Sequence, residues 1–177
     1  MASIQAGKPW IVRDYLKCSG CRRCEVMCTL FHENKIWPEA SRVRVFMLIP
    51  GVEIPHLCAQ CNDYPCVNAC KFGALSVDEK TSAVIVNKEK CNACGLCIKA
   101  CPGNVPHVHP KDKYILICDL CGGEPQCAKV CTEAGYIALR TVIEGPSISH
   151  KLFSKTPQEL TKIVAENLYA DKAKELI

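Results

Sequence analysis

Polar and apolar residues alternate through Arg42-Val43-Arg44-Val45-Phe46, the two-residue period of a strand with one face buried. Two further apolar stretches, Ala74 to Val77 and Ala83 to Val86, flank the polar segment Asp78-Glu79-Lys80-Thr81-Ser82 and predict a hairpin. Tyr114 to Ile117 and Tyr136 to Leu139 predict short strands, and the residues from the third cysteine of each C-x-x-C-rich run onward, such as Cys97 to Ala100, single helical turns. Beyond Gly145-Pro146 the period changes. Thr156-Pro157-Gln158-Glu159 has the form of a capping box with proline at the first helical position, and Leu160, Ile163, Val164, Asn167 and Leu168 follow at helical spacing. A helix from about Pro157 to Leu176 is predicted, its apolar stripe packing against the rest of the chain or, as the alternative, docking on another subunit. The result is an α+β pattern of unusually short elements.

Short elements need an organiser, and only 6% of the 177 residues are aromatic. The sixteen cysteines supply one. They fall into four runs of four: Cys18, Cys21, Cys24, Cys28; Cys58, Cys61, Cys66, Cys70; Cys91, Cys94, Cys97, Cys101; Cys118, Cys121, Cys127, Cys131. Every run begins C-x-x-C and ends C-x-x-x-C, and the third, closed by Pro102, reproduces the bacterial ferredoxin pattern in full. Structural zinc sites place two ligand pairs a dozen or more residues apart, which these compact runs do not. A cubane has four iron corners, each wanting one thiolate, so the pattern predicts four [4Fe–4S] clusters on these sixteen iron ligands. Binding free energy then adds directly to folding, and the metal-free chain is expected to fold poorly.

The clusters also change the charge. The formal +4 becomes about −4 once the thiolates and oxidised cluster cores are counted. With lysine and arginine scattered, no nucleic-acid partner is expected. The N-terminus lacks the apolar core of a signal peptide and no stretch is long and apolar enough to span a bilayer, so the expectation is a reducing cytoplasm without membrane insertion. A disulfide framework would need an oxidising compartment. P-loop, dinucleotide-binding and nucleophile-elbow motifs are missing, so no catalytic residue is assigned. The quartets are complete without His32, His56, His107, His109 and His150; His107-Val108-His109 reads as a proline-bounded loop in solvent or hydrogen-bonded near a cluster. Arg22, Arg23 and Lys99 lie within runs, where a cation either raises a cluster potential, remains solvated or meets an acidic partner.

Cys18-Ser19-Gly20-Cys21-Arg22-Arg23-Cys24-Glu25, Pro65-Cys66-Val67, Cys94-Gly95-Leu96-Cys97 and Cys118-Asp119-Leu120-Cys121 resemble the four-cluster ferredoxin-like subunits of molybdenum and tungsten oxidoreductases. The resemblance covers about residues 10 to 145 and is nearest to small subunits of aldehyde oxidoreductase-type tungsten enzymes such as class II benzoyl-CoA reductase. It implies crossed ligation between runs one and four and between runs two and three. Carried over, one cluster takes Cys18, Cys21, Cys24 and Cys131, and its companion Cys118, Cys121, Cys127 and Cys28. The inner pair takes Cys58, Cys61, Cys66 with Cys101, and Cys91, Cys94, Cys97 with Cys70. Only run three keeps the final proline; Thr29, Lys71 and Thr132 stand in its place elsewhere.

The implied architecture is a four-cluster domain over residues 1–145, with two ferredoxin-like modules, and a helical tail over 146–177. The implied function is electron relay to or from a large tungsten- or molybdenum-pterin catalytic subunit, of the benzoyl-CoA reductase or aldehyde oxidoreductase kind. A ferredoxin or flavoprotein would be the further redox partner. The alternative is a free soluble polyferredoxin; the insertion between runs one and two and the tail helix weigh against it.

Overall fold

The computed structural model describes residues 7–144 and 150–176. In chain order the elements are β1 (Lys8–Arg13), α1 (Arg23–Glu33), β2 (Arg44–Ile49), β3 (Val52–His56), α2 (Pro65–Asn68), β4 (Leu75–Val77), β5 (Val84–Val86), α3 (Leu96–Ala100), β6 (His107–Val108), β7 (Ile115–Leu116), α4 (Gln126–Glu133), β8 (Leu139–Glu144), α5 (Pro157–Tyr169) and α6 (Ala173–Leu176). The strands form two-stranded antiparallel ribbons, β1 with β8, β2 with β3, β4 with β5 and β6 with β7. Ribbons this small are at best marginal alone, so their stability comes from what they pack against.

Each ribbon belongs to a particular layer. β1 lies along β8 from Pro9 opposite Ile143 to Arg13 opposite Leu139, which closes the chain on itself. Ile11 and Leu139 from this ribbon share a core with Val43, Val45, Leu120 and Ala128, where α1 packs on α4. A second core joins β4, β5 and β7 through Leu75, Val84, Ile115 and Ile117, where α2 packs on α3. Cysteines of runs one and four, with Cys58 of run two, line the first core, and cysteines of runs two and three the second. The third core holds no cysteine: Ile49, Val52 and Ile54 meet Leu160, Val164 and Ala165 of α5 and Ala173.

Several boundaries differ from the sequence pattern for identifiable reasons. The expected strand from Arg42 starts at Arg44, because the Arg42 N–H donates to Cys28 Sγ at 3.2 Å and the Ser41 hydroxyl bonds both backbone groups of Val43. The expected strand at Tyr136 starts at Leu139, because residues up to Ile137 finish the end of α4, with the Ile137 N–H reaching the Cys131 carbonyl. His107-Val108 is a strand, not a loop, and His109 is buried, stacked on Tyr114 at 4.7 Å. The single turns expected after each third cysteine include an eleven-residue helix in α1.

The tail also departs from a continuous helix. Thr156 and Glu159 form both halves of the capping box, but α5 ends at Tyr169, where Ala170 takes φ 48°. That break turns the chain so that Ala173 joins the third core. The buried row is Leu160, Thr161, Val164 and Ala165, whereas Ile163 and Leu168 face outward. Trp10 anchors the segment preceding α5: its ring stacks on His150 at 4.9 Å and contacts Phe153, while its Nε1–H donates to the Ala59 carbonyl. The boundary expected at Gly145-Pro146 lies outside the described residues.

Candidate metal centres

The four runs share a backbone plan. In every run the residue before the second cysteine has positive φ: Gly20 at 69°, Gln60 at 55°, Ala93 at 56° and Leu120 at 55°. For the three that are not glycine this conformation costs about 1–2 kcal/mol each, and successive turns of this kind aim backbone N–H groups inward to make an anion-binding nest. The third cysteine is then the second residue of a helix: Cys24 in α1, Cys66 in α2, Cys97 in α3 and Cys127 in α4. None of these helices receives a side-chain hydrogen bond at its N-cap. Their first-turn N–H groups sit beside thiolates, where helix ends stabilise negative charge. At Gly20 an added Cβ would come within 2.6 Å of the Glu53 carboxyl carbon, so a larger residue there would have to displace the Glu53 side chain.

Cysteines from different runs converge. One cleft of about 340 Å³ is lined by Cys18, Cys21, Cys24 and Cys131. Another, about 350 Å³, is lined by Cys58, Cys61, Cys66 and Cys101, and a third, about 300 Å³, by Cys70, Cys91, Cys94 and Cys97. Cys28 lies within electrostatic reach of Cys121 and Cys127, and Cys127 of Cys118. Cysteines of neighbouring groups also share a core and lie within electrostatic reach: Cys24 of Cys127, Cys118 of Cys58, and Cys66 of Cys97. Only Cys21 and Cys94 are exposed.

Local hydrogen bonds fix the sulfurs and their loops. The Leu139 N–H donates to Cys131 Sγ at 3.3 Å and the Gln60 N–H to Cys58 Sγ at 3.4 Å. Asn92 and Asp119, each following the first cysteine of its run, accept the N–H of Cys94 and Cys121. The Gln60 side chain bridges run two to run four by donating to the Cys118 carbonyl. Glu25, buried beside Cys24, accepts the Val45 N–H at 2.6 Å. Arg22 and Arg23 are exposed and line the first cleft, and Lys99 is exposed.

Of the five histidines, four have partners away from the cysteines. His56 Nε2–H donates to the Lys155 carbonyl, His107 lies against the Val105 carbonyl, His109 Nδ1 accepts the N–H groups of Lys111 and Asp112, and His150 lies against the Gln60 carbonyl. His32 is different, with Nε2 3.7 Å from Cys121 Sγ. Its position could not be read from spacing, since 89 residues separate the two.

The donor chemistry fits cubane clusters. Soft thiols gathered in fours, nests of N–H groups and apolar surroundings suit a sulfur-rich, negatively charged group. Burial pushes the free thiols up, Cys24 and Cys58 to about 12 and Cys66, Cys97 and Cys121 to about 11; burial likewise raises Cys118 and Cys127 well above the ordinary thiol value. Thiolates packed this closely need cationic iron to neutralise them, so loading must release protons. Bound by such ligands, a [4Fe–4S] cubane supplies a centre that gains and loses one electron.

Comparison with known proteins agrees. The family model described as a 4Fe-4S dicluster domain matches residues 51–140. The "aliphatic sulfonate oxidoreductase, polyferredoxin-like subunit" of Pyrococcus furiosus is 54% identical over 92% of this chain and 94% of its own. The electron transport protein HydN of Escherichia coli is 40% identical over 52% of this chain and 55% of its own. A solved complex BamBC of benzoyl coenzyme A reductase aligns over 94% of this chain and 96% of that one, at 22% identity and a TM-score of 0.45. No helix among the described residues is long and apolar enough to cross a membrane. By family match and by identity across nearly the whole chain, the protein belongs to the 4Fe–4S dicluster family: it is a polyferredoxin-like electron-transfer protein with four [4Fe–4S] clusters, homologous to subunits of oxidoreductases.

Proposed function

We propose that the sixteen cysteines form a single electron path with crossed ligation, serving a separate catalytic subunit. The carrying observation is that each of the three cysteine-lined clefts combines three cysteines of one run with the fourth cysteine of another. Cys28 with Cys118, Cys121 and Cys127 makes the fourth quartet, supported by the reach of Cys28 to Cys121 and Cys127. Shared cores and electrostatic reach between groups then support an order: the Cys18/Cys21/Cys24/Cys131 quartet, the Cys28/Cys118/Cys121/Cys127 quartet, the Cys58/Cys61/Cys66/Cys101 quartet, and the Cys70/Cys91/Cys94/Cys97 quartet. The two exposed cysteines, Cys21 and Cys94, fall at opposite ends of that order, so electrons enter at one end and leave at the other.

In this reading the outer module is runs one and four held by α1 on α4, the inner module is runs two and three held by α2 on α3, and α5 of the tail braces β2 and β3. One end faces a large tungsten- or molybdenum-pterin subunit, the other a ferredoxin or flavoprotein. Identity of 54% to the Pyrococcus furiosus polyferredoxin-like subunit favours an aliphatic sulfonate oxidoreductase as the complex.

Cys28→Ala tests the crossing. Its spectrum under anaerobic potentiometric EPR should lose the signal that Cys121→Ala loses and keep the one that Cys21→Ala loses. Loss of the Cys21 signal instead would refute crossed ligation. Isolation of the native complex with a pterin cofactor in its large subunit tests the partner, and a stable monomer from the source cell would overturn it.

A further inference from the structure

We propose that His32 sets the potential of the centre bound by Cys121, by donating its Nε2–H to the Cys121 sulfur. The inference rests on Cys121 being an iron ligand, not on the crossing of the runs. Nε2 lies 3.7 Å from Cys121 Sγ and 3.3 Å from Asp119 Oδ1. Both neighbours are acceptors, so this nitrogen carries the ring proton and shares it between them. The side chain is only 10% exposed, which holds the imidazole on the sulfur in a medium where a hydrogen bond is electrostatically stronger than in water.

Asp119 completes the arrangement. The same Oδ1 accepts the Cys121 N–H at 3.0 Å, so the carboxylate orients the imidazole and fixes the loop while placing a negative charge beside the sulfur. Arg42 contributes from the other side: its N–H donates to Cys28 Sγ, and its guanidinium, 9% exposed, pairs with Glu33 at 3.5 Å. The sulfurs of Cys28, Cys58 and Cys131 receive backbone N–H groups; Cys121, which also has a backbone hydrogen bond from Gln126, receives in addition a side chain that can be exchanged without moving the backbone. A donor to a ligating sulfur stabilises the reduced, more negative state, which raises the potential; the Asp119 charge opposes it. His32 is thus a positioning residue on the electron path.

The test is a potentiometric EPR titration of the anaerobically purified, iron-loaded chain. His32→Ala should lower the reduction equilibrium constant of one centre about tenfold, ~59 mV for one electron, leaving the other three in place. His32→Gln, which restores an N–H donor, should recover most of the shift. Asp119→Asn, which keeps the acceptor for the Cys121 N–H but removes the charge, should move the same centre upward. The affected signal must be the one absent from Cys121→Ala. Unchanged potentials in His32→Ala at full iron content overturn the inference, as does a shift in a signal that Cys121→Ala retains. Where the alanine variant loses iron, the other two decide: a glutamine variant at the wild-type potential together with an upward Asp119→Asn shift supports it, and any other pairing overturns it. If Cys28→Ala and Cys121→Ala remove different signals, crossed ligation falls while the role of His32 still stands on these variants.

Discussion

Glu25 is the buried charge that ties the first cysteine run to the scaffold, and its removal has a calculable cost. Its side chain is 6% exposed, its Oε1 accepts the Val45 N–H at 2.6 Å, and both oxygens lie 3.3 Å from Arg22 Nη1. Glu25→Ala leaves the N–H of buried Val45 without an acceptor, a loss of about 1.5–3 kcal/mol for a hydrogen bond to a charged group. The first-turn carboxylate adds ~0.3–1 kcal/mol against the helix dipole. Arg22 is half exposed, so the ion pair itself contributes only ~0.2–1 kcal/mol. The expected destabilisation is about 2–5 kcal/mol. Glu25→Gln keeps an acceptor and should cost roughly a third of that, and Arg22→Ala less than about 1 kcal/mol. Anaerobic guanidinium unfolding of the loaded chain, followed by cluster absorbance and far-UV dichroism, measures all three. If Glu25→Ala lies within about 0.5 kcal/mol of the parent, or Arg22→Ala costs as much as Glu25→Ala, the assignment of the Val45 bond as the main contact is wrong.

Two further predictions concern backbone strain and the tail. Gly95 has φ 77° with nothing within 4 Å of where a methyl group would sit, so Gly95→Ala should cost about 1–2 kcal/mol from conformation alone; Ala93→Gly, at φ 56°, should match or exceed the parent in the same denaturation assay. Thr156→Ala should weaken α5 by about 1 kcal/mol, seen as faster amide exchange at Leu160. The Thr156 N–H and hydroxyl hold the Glu159 carboxyl below its ordinary value of 4.5. Its contribution is therefore complete above that value and fades as pH falls through the lower folded value. The protection difference between parent and Glu159→Gln should shrink in acid, and a difference that grew there would contradict the linkage.

The sequence exposed the chemistry more readily than the architecture. Sixteen cysteines at fixed intervals, the hairpin around Asp78 to Ser82 and the Thr156–Glu159 cap are local signals, each decided by residues within a few positions. The pairing of β1 with β8 is not local: Trp10 and Val142 face each other across most of the chain, and no periodicity in Lys8–Arg13 announces a partner. The positive φ at Gln60, Ala93 and Leu120 is hidden for another reason. Side chains there oppose the conformation, so propensity points away from it, and only the demand of the surrounding loop imposes it. The Ile163 and Leu168 positions of the tail show the limit of periodicity, since a stripe wide enough to include them exceeds the face that Ile49, Val52 and Ile54 cover. His32 reaches Cys121 through the length of α1, a helix that pattern alone ends after one turn.

Helix geometry supports the proposed interlocking of the runs. In each run the third and fourth cysteines are four residues apart, so where helix continues between them, as in α1 and α4, both project from one face about 5–6 Å apart. The third is held near its own loop by its place in the first turn. The fourth is carried one turn farther, toward whatever packs on that face. Since α1 packs on α4 and α2 on α3, the neighbour in each case is the other run of the pair. Ala128, 1% exposed among Cys24, Cys28, Cys118 and Cys127, keeps α1 and α4 close enough for the exchange. A small side chain there is a condition for two quartets at once. Two helices set face to face would thus carry the fourth cysteine of one run toward the centre of the other, as the proposed crossed ligation requires.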